Sequence, residues 1–196
     1  MPPNIKRMNK GAYLAFFITM LILNIAAIVI VSVIMYREQK LAYVYVGLVA
    51  GSLLIMIASV GLAVFHYRMW AAIYEKDMKV GGVKIDPVIA VALLFVSFVG
   101  EYWTFRFYTE FIYHYNENVK KYGGELQLLP TGESAYTAIA KLRVAALIIG
   151  IITIAIPFVL PLLWLLILVM YFIFFGLVSK TCDAVNFLAD AVERGS

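Results

Sequence analysis

The chain has 196 residues, of which 64% are hydrophobic and only 14% are charged, and its mean hydropathy is +0.91. Soluble domains are about half apolar and about a quarter charged, so this composition excludes a water-soluble globular protein and predicts an integral membrane protein. The net charge of +4 is small, and the Lys and Arg residues lie between the apolar runs. This distribution is typical of topology signals and lipid contacts, and it argues against a nucleic-acid surface.

The residues that build common metal, redox and catalytic sites are scarce. Cys182 is the only cysteine, which excludes an intramolecular disulfide and a CxxC motif, and the two histidines stand far apart. The sequence also lacks a P-loop, a GxSxG elbow, an HExxH motif and a glycine-rich dinucleotide turn. We therefore expect no catalytic residues, no metal site, no cofactor and no enzymatic activity.

The first apolar run, residues 12–36, contains no charge over 25 residues. This is longer than the apolar region of a signal peptide, which has about 7–15 residues. The run follows Lys6, Arg7 and Lys10, and basic residues favour the cytoplasmic side. We interpret it as a retained first membrane span with a cytoplasmic N-terminus.

The second apolar run, residues 41–65, follows a short polar turn and contains small residues at regular spacing. Gly47 and Gly51 have GxxxG spacing, and Ala58 stands two turns further on. Small residues let helix backbones approach closely in lipid. The pattern predicts a helix contact, whose partner lies either in this chain or in another.

The chain continues from the second run into residues 66–79, which we predict to be an interfacial helix. Arg68 suits lipid phosphates, and Trp70 suits the headgroup region where amphipathic rings collect. Trp103, at the end of the next apolar run, has the same predicted role. These three residues are the predicted lipid-interface contacts.

The third run opens with a strong helix start, because Asp86 can cap free N–H groups and Pro87 fits the first turn. Residues 87–121 contain no helix breaker other than that first proline, and they predict one helix about 50 Å long. The hydrocarbon layer is only about 30 Å thick. We therefore expect residues 87–108 to span and residues 109–121 to lie at the interface.

This third helix carries the candidate polar face of the chain. Arg106, Glu110 and His114 stand at four-residue steps, so they share one face and can pair. Glu101 lies about a quarter-turn away, nearest the apolar run. An acid at membrane depth is costly and is a functional hypothesis by default. The alternative is a carboxylate at the boundary that reaches water or Arg106.

The last apolar segment, residues 144–179, has no charge over 36 residues. As one helix it would be about 54 Å long, nearly twice the hydrocarbon layer. Pro157 and Pro161 offer a break, which predicts two spans at residues 136–156 and 162–180. A single kinked helix is the alternative.

The length of the last segment favours two spans there and five in total. If it forms one helix, the total is four. The numbers of Lys and Arg residues on the two sides of the membrane slightly favour four spans. Beyond the last span, residues 181–193 place Asp183, Asn186 and Asp190 on one side, which predicts an amphipathic interfacial helix.

Three short motifs resemble those of an uncharacterised family of small multi-span membrane proteins from bacteria and archaea. They are YRMWAAI at residues 67–73, YW at 102–103 followed by HYN at 114–116, and KTCDAVNFLA at 180–189. The chain departs from the family pattern at residues 98–101, where the family has a proline-containing bend. The resemblance implies a multi-span helical architecture in a prokaryotic cell membrane, and it implies no activity.

Together these features predict a single all-α, polytopic membrane domain with four or five transmembrane helices and amphipathic interfacial extensions. We interpret the protein as a non-catalytic structural or accessory subunit, a scaffold that contacts membrane lipids and partner helices of other subunits or of a second copy. The alternative function is a small-solute or proton transporter or channel that uses the polar face of the third helix.

Overall fold

A computed structural model describes residues 5–38, 41–74, 79–80, 83–96, 99–122, 128–129, 134–155 and 160–195. Within these residues the chain forms helices and one short hairpin. The elements are α1 (Lys10–Glu38), α2 (Leu41–Ile73), β1 (Lys79–Val80), β2 (Val83–Lys84), α3 (Pro87–Leu93), α4 (Val99–Tyr122), α5 (Ser134–Ala155) and α6 (Leu160–Gly195). The predicted all-helical class is confirmed, apart from the two-residue strands.

The chain divides into two compact units. Residues Gly11–Phe65 form one, which we call the α1–α2 unit, and residues Met1–Lys10 and His66–Ser196 form the other, which we call the core unit. The core unit thus contains the chain up to Lys10, the first residue of α1, and it also contains the last turns of α2.

Close packing at a glycine joins the two helices of the α1–α2 unit. A Cβ atom added at Gly61 would overlap the ring of Phe16, so α1 approaches α2 at a point where only glycine fits. The Tyr13 and Phe17 rings lie edge-on to Phe65, with centroids 5.4 and 6.2 Å away. Gly47 and Gly51 lie in α2 where the side-chain surroundings are outside the described part, so the helix contact predicted there stays a prediction. Ala58 is half-buried on the same helix.

Aromatic and aliphatic side chains fill the centre of the core unit. Helix α4 packs against α3, α5 and α6, and α5 packs against α6. Rings from α2, α4 and α5 are almost fully buried between these helices, where they bury the large apolar areas typical of a protein interior. They belong to Phe107, Phe111, Tyr115, Trp70 and Tyr136.

Helices α5 and α6 form an antiparallel pair. Helix α5 ends at Ala155 and α6 begins at Leu160. The hydroxyls of Tyr136 and Thr181 are 2.8 Å apart, so the start of α5 lies beside a residue far along α6. The prediction of two helices in place of one kinked helix is therefore confirmed.

Three helical segments among the described residues are long and apolar enough to cross a membrane: Lys10–Ala27, Met56–Ile73 and Val169–Arg194. They agree with the predicted membrane location and with transmembrane helices in the first, second and last apolar runs. They are fewer than the four or five predicted.

The prediction of one continuous helix over residues 87–121 is wrong. Asp86 does cap α3, since its Oδ1 accepts a hydrogen bond from the Ile89 N–H at 2.8 Å, and Pro87 stands in the first turn. The helix then ends at Leu93, and α4 begins at Val99. At this break Gly100 packs against the Leu94 carbonyl so closely that a Cβ would lie 2.6 Å from its oxygen, and Arg143 of α5 donates a hydrogen bond to the same carbonyl.

The predicted helix over residues 66–79 is also shorter than expected. It ends at Ile73, and Lys79 belongs to a strand in which Val80 pairs with Val83. The sequence Val-Gly-Gly-Val explains the difference, since two glycines disfavour a helix and are typical of a tight hairpin.

Candidate functional site: the polar groups of the core unit

The predicted polar face is present on α4. The Arg106 Nη2 lies 3.0 Å from Oε1 of Glu110, and the His114 Nε2 lies 3.7 Å from Oε2 of the same carboxylate. The two predicted pairs are thus formed, with Glu110 the most buried of the three side chains. Glu101 belongs to the first turn of α4, and its side chain lies outside the described part of the structure.

This face is an ion-pair ladder along one helix. Pairs of this exposure contribute about 0–1 kcal/mol each to stability. Helix α4 is not among the three segments that are long and apolar enough to span a membrane. The ladder of Arg106, Glu110 and His114 therefore lies on a helix whose other side faces protein, with Phe111 and Tyr115 buried.

The prediction that both tryptophans lie at the lipid interface is wrong. Trp70 is completely buried and Trp103 is nearly so. The centroid of the Trp70 ring lies 4.7 Å from that of Phe107 and 6.0 Å from that of Trp103, and both pairs of rings are tilted. These large rings fill the space where α2 meets α4, and filling it removes more apolar surface from water than an interfacial position does. Arg68 is half-buried, and its contact with lipid stays a prediction.

The indole groups differ in their hydrogen bonds. The Trp103 Nε1 donates to the Ala90 carbonyl at 2.6 Å, which fastens α3 to α4. The Trp70 Nε1 is buried and has no partner among the described residues.

Two buried hydroxyl contacts, which the sequence did not reveal, connect four helices. The His66 Nε2 and the Tyr108 hydroxyl are 2.9 Å apart, and Tyr136 bonds Thr181 as described above. The Tyr108 and Tyr136 rings lie 5.3 Å apart between these pairs. Burial raises the pKa of the Tyr108 phenol far above its usual value, and the Arg143 guanidinium offsets this only in part. The phenol therefore stays protonated and acts as a fixed hydrogen-bonding group.

Residues 5–10, which we call the N-terminal segment, are bound to α6. The Asn186 Oδ1 accepts from the Met8 N–H at 2.7 Å, and the Asn186 Nδ2 donates to the Met8 carbonyl at 2.9 Å. The side chains of Ile5 and Met8 are buried. One amide side chain thus satisfies both backbone groups of a single residue.

Ion pairs on both sides of Asn186 add to this contact. The Arg7 Nη2 lies 2.8 Å from Asp190 and 2.7 Å from Glu193, and the Lys10 Nζ lies 2.8 Å from Asp183. The polar side of the last helix therefore binds the chain's own basic segment.

The prediction of a membrane-interface helix at residues 181–193 is corrected in the same way. The residues are helical, but they continue α6 without a break. Their apolar side, which includes Cys182, Val185 and Leu188, is buried in the core unit. The amphipathic pattern is real, and its apolar side faces protein because the core unit supplies apolar neighbours there.

A second asparagine repeats the geometry of Asn186. The Asn116 Nδ2 donates to the Leu129 carbonyl at 2.7 Å, and the Leu129 N–H donates to its Oδ1 at 2.8 Å. Asn116 ends the HYN motif at residues 114–116, and Asn186 lies within the KTCDAVNFLA motif at residues 180–189. Each holds one residue of a non-helical segment against a helix, and both amides are committed to backbone groups.

No group of three or more potential metal ligands occurs among the described residues. An open cavity of about 410 Å³ lies at the end of α4, and its lining is chemically mixed. It consists of Ile73, His114, Glu117, Asn118, Lys120 and Lys121. Basic residues in the last turn complement the helix dipole, which accounts for both lysines.

Comparison with models of protein families, with curated proteins and with solved structures finds no match to this chain. The resemblance to the small multi-span family therefore stays a prediction from the three motifs.

Proposed function

We propose that the chain is a non-catalytic membrane scaffold in which two membrane-spanning hairpins carry the buried ring cluster of the core unit, with Trp70, Phe107 and Phe111 at its centre, on one side of the bilayer. The observation that carries this proposal is the use of the buried polar groups in the core unit. His66, Asn186 and Tyr136 each bind a group from a different element of the chain. Such groups fasten elements of the chain together, and their polar atoms are committed to these structural contacts.

The proposed hairpins are α1 with α2 and α5 with α6. The chain leaves the core unit after Lys10 and re-enters it at His66. The contact between Tyr136 and Thr181 likewise places the start of α5 beside the later part of α6. Two crossings per hairpin give four spans, made up of the three apolar segments named above and α5. This set differs from the four-span alternative of the sequence, which counted residues 87–108 and took residues 144–179 as one helix. Residues 87–108 are then not a span, in keeping with the break between α3 and α4.

The distribution of basic residues supports this topology. Of the 16 Lys and Arg residues, only Arg37 and Lys40 fall between the first and second apolar runs of the sequence, and residues 144–179 contain none. In this arrangement the other 14 fall on the side of the buried ring cluster. Because Lys and Arg accumulate on the cytoplasmic side, we place that cluster, α4 and residues 5–10 in the cytoplasm of a prokaryotic cell.

The partners of the proposed scaffold are lipids and other membrane helices. Large apolar side chains along α1 and α2 are exposed, as expected for helices whose solvent is lipid. They include Ile22, Val29, Val49, Met56 and Val60. The GxxxG spacing of Gly47 and Gly51 suits a contact with a partner subunit or a second copy.

The test is purification of the tagged chain from native membranes in mild detergent. The scaffold proposal expects a partner subunit or a second copy to co-purify, and expects Gly47→Leu or Gly51→Leu to remove it. Ile22→Leu on the exposed face of α1 is the matched control and should leave the complex intact. A chain that stays alone, and whose reconstituted solute or proton flux is lost on Glu101→Gln, would support the transport alternative.

A further inference from the structure

At the junction of α3 and α4, residues 87–96 and 99–102 present an apolar surface that no described part of the chain covers. We call it the elbow. Six of its side chains are between 47% and 69% exposed: Val88, Ile89, Phe95, Val96, Val99 and Tyr102. Contiguous apolar patches on a protein surface mark contacts with a membrane or another protein.

The elbow has a fixed shape. The Trp103 indole binds the Ala90 carbonyl and ties α3 to the second turn of α4. Gly100 lets the start of α4 approach the Leu94 carbonyl, and its own N–H donates to the Val96 carbonyl at 2.6 Å. Because these contacts hold the backbone, the exposed apolar side chains form a preorganised surface.

One hydrogen bond places the elbow at a definite level of α5. The Arg143 Nη2 donates to the Leu94 carbonyl at 3.3 Å. Arg143 is the last charged residue before the uncharged run that begins at residue 144, and Ile148 and Ile151 are exposed on α5 beyond it. The tip of the elbow therefore lies beside the point where α5 becomes purely apolar.

The same hydrogen bond solves a problem that arises only in lipid. A break in a helix frees backbone carbonyls, and an unpaired carbonyl in hydrocarbon costs several kcal/mol. Arg143 supplies a charged donor to one such carbonyl, and its long side chain suits a position at the membrane boundary. Tyr102, the most exposed of the six, combines an apolar ring with a polar tip and suits the headgroup level.

We propose that the elbow inserts into one leaflet of the bilayer without crossing it. Acyl chains cover Phe95, Val96 and Val99, and Arg143 holds the break at the boundary between headgroups and hydrocarbon. The occupant of the surface is lipid, since Arg143 joins the elbow to α5 at the point where its uncharged run begins. This inference rests on the proposed four-span topology, in which α3 and α4 stay on the cytoplasmic side.

The test uses single-cysteine variants of the full chain with Cys182→Ala, reconstituted into phospholipid vesicles. Val96→Cys and Val99→Cys report on the elbow. Lys84→Cys is the water-exposed control, and Ile151→Cys is the lipid-exposed control. Each thiol is treated with a membrane-impermeant maleimide, or carries a fluorophore whose quenching by lipids brominated near the headgroup or near the bilayer centre is measured.

We expect the thiols at 96 and 99 to react at least about tenfold more slowly than the thiol at 84, because a thiol in apolar surroundings forms little thiolate. Their fluorophores should be quenched by lipids brominated near the headgroup and only weakly by lipids brominated near the centre. The fluorophore at 151 should be quenched by both lipids or mainly by the second.

Two results would overturn the inference and would separate it from the topology. If 84 and a Lys120→Cys thiol react from opposite sides of the vesicle, the segment crosses the membrane and the four-span topology fails as well. If both react from one side while 96 and 99 react as fast as 84, only the insertion fails. Protection of 96 and 99 in native membranes but not in vesicles would identify a partner protein as the occupant and would also overturn it.

Discussion

The two units of the chain hold their helices together by different means. In the α1–α2 unit the helices are apolar over most of their length, many large side chains are exposed, and the closest approach occurs at Gly61. In the core unit the helices bury rings, and side-chain hydrogen bonds connect them. The first pattern suits a solvent of lipid, where packing is not aided by the hydrophobic effect. The second is typical of a packed protein interior, where buried rings have defined neighbours.

The difference teaches where sequence change is tolerated. On a face exposed to lipid, one large apolar residue can replace another at little cost. Only the small residues at helix contacts are constrained. In the core unit each large ring has defined neighbours, so its removal leaves a cavity. Substitutions in each unit test this difference in tolerance.

The largest effect is expected for Phe107→Ala. Phe107 is completely buried and its ring lies near those of Trp70, His66 and Tyr108. Loss of a buried phenylalanine costs about 3–5 kcal/mol, which should be measurable as a lower unfolding midpoint in detergent. Phe172→Ala is the control, because that ring is 70% exposed on α6. An equal loss in both variants would contradict the packed core.

A smaller loss is expected for Gly61→Leu. The new side chain would overlap Phe16, so α1 and α2 must separate or Phe16 must move, at a cost of about 1–3 kcal/mol. Thermal aggregation of the detergent-solubilised protein, followed by size-exclusion chromatography, measures the loss. Gly176→Ala should be neutral, since nothing lies within 4 Å of a Cβ added at that position. Equal destabilisation by both substitutions would argue against a contact at Gly61.

Asn186→Ala tests the attachment of the N-terminal segment. Both hydrogen bonds to Met8 are lost, which costs about 1–2 kcal/mol of local stability. Amide exchange of residues 5–9 should then be about tenfold faster or more, since 1.4 kcal/mol corresponds to a factor of ten. Asn116→Ala is the matched control and should speed exchange near Leu129 alone. Unchanged exchange at Met8 in the Asn186 variant would show that the ion pairs suffice.

Alkaline pH should weaken the core unit gradually. Burial raises the pKa of Tyr115 from 10.0 to about 12, so the folded state favours the neutral phenol. Its contribution to stability is fully present below pH 10 and is lost as pH rises through about 12. Tyrosinate absorbance and the unfolding midpoint measure this across the same window. Tyr115→Phe should remove part of the pH dependence, and an unaltered profile would refute the assignment.

The smallest effect on stability is expected for Glu110→Gln. The variant removes the charge that pairs with Arg106 and His114, at a cost of about 0–1 kcal/mol for such exposed pairs. Unfolding midpoints should barely move, and the scaffold proposal expects partner binding to persist. A loss of reconstituted solute or proton flux, with stability intact, would instead favour transport along this face.

Local signals in the sequence predicted local structure well. Three predicted features each depend on residues a few positions apart. They are the cap by Asp86, the separation of α5 from α6 in the region of the two prolines, and the ion pairs of Glu110. Composition alone indicated the membrane. These features need no knowledge of what the distant chain provides.

The wrong predictions share a dependence on distant contacts. Trp70 reads as an interfacial residue until Phe107 is seen beside it. At the break after Leu93, the Leu94 carbonyl accepts a hydrogen bond from Arg143 of α5, which the local sequence does not show. The polar side of residues 183–193 reads as water-facing until Arg7 and Lys10 are placed against it. In these cases the local sequence indicated that a group is buried or paired. It could not identify the distant residues that bury it or pair with it.

The attachment of Met8 to Asn186 also orders events during synthesis. The binding groups for residues 7–10, at positions 183–193, leave the ribosome more than 170 residues later. Until then the basic segment has none of these carboxylates to neutralise it, which is when its charge can act on the orientation of the first helix. The segment can therefore dock only after positions 183–193 have been made, and its docking marks a chain in which α6 is in place.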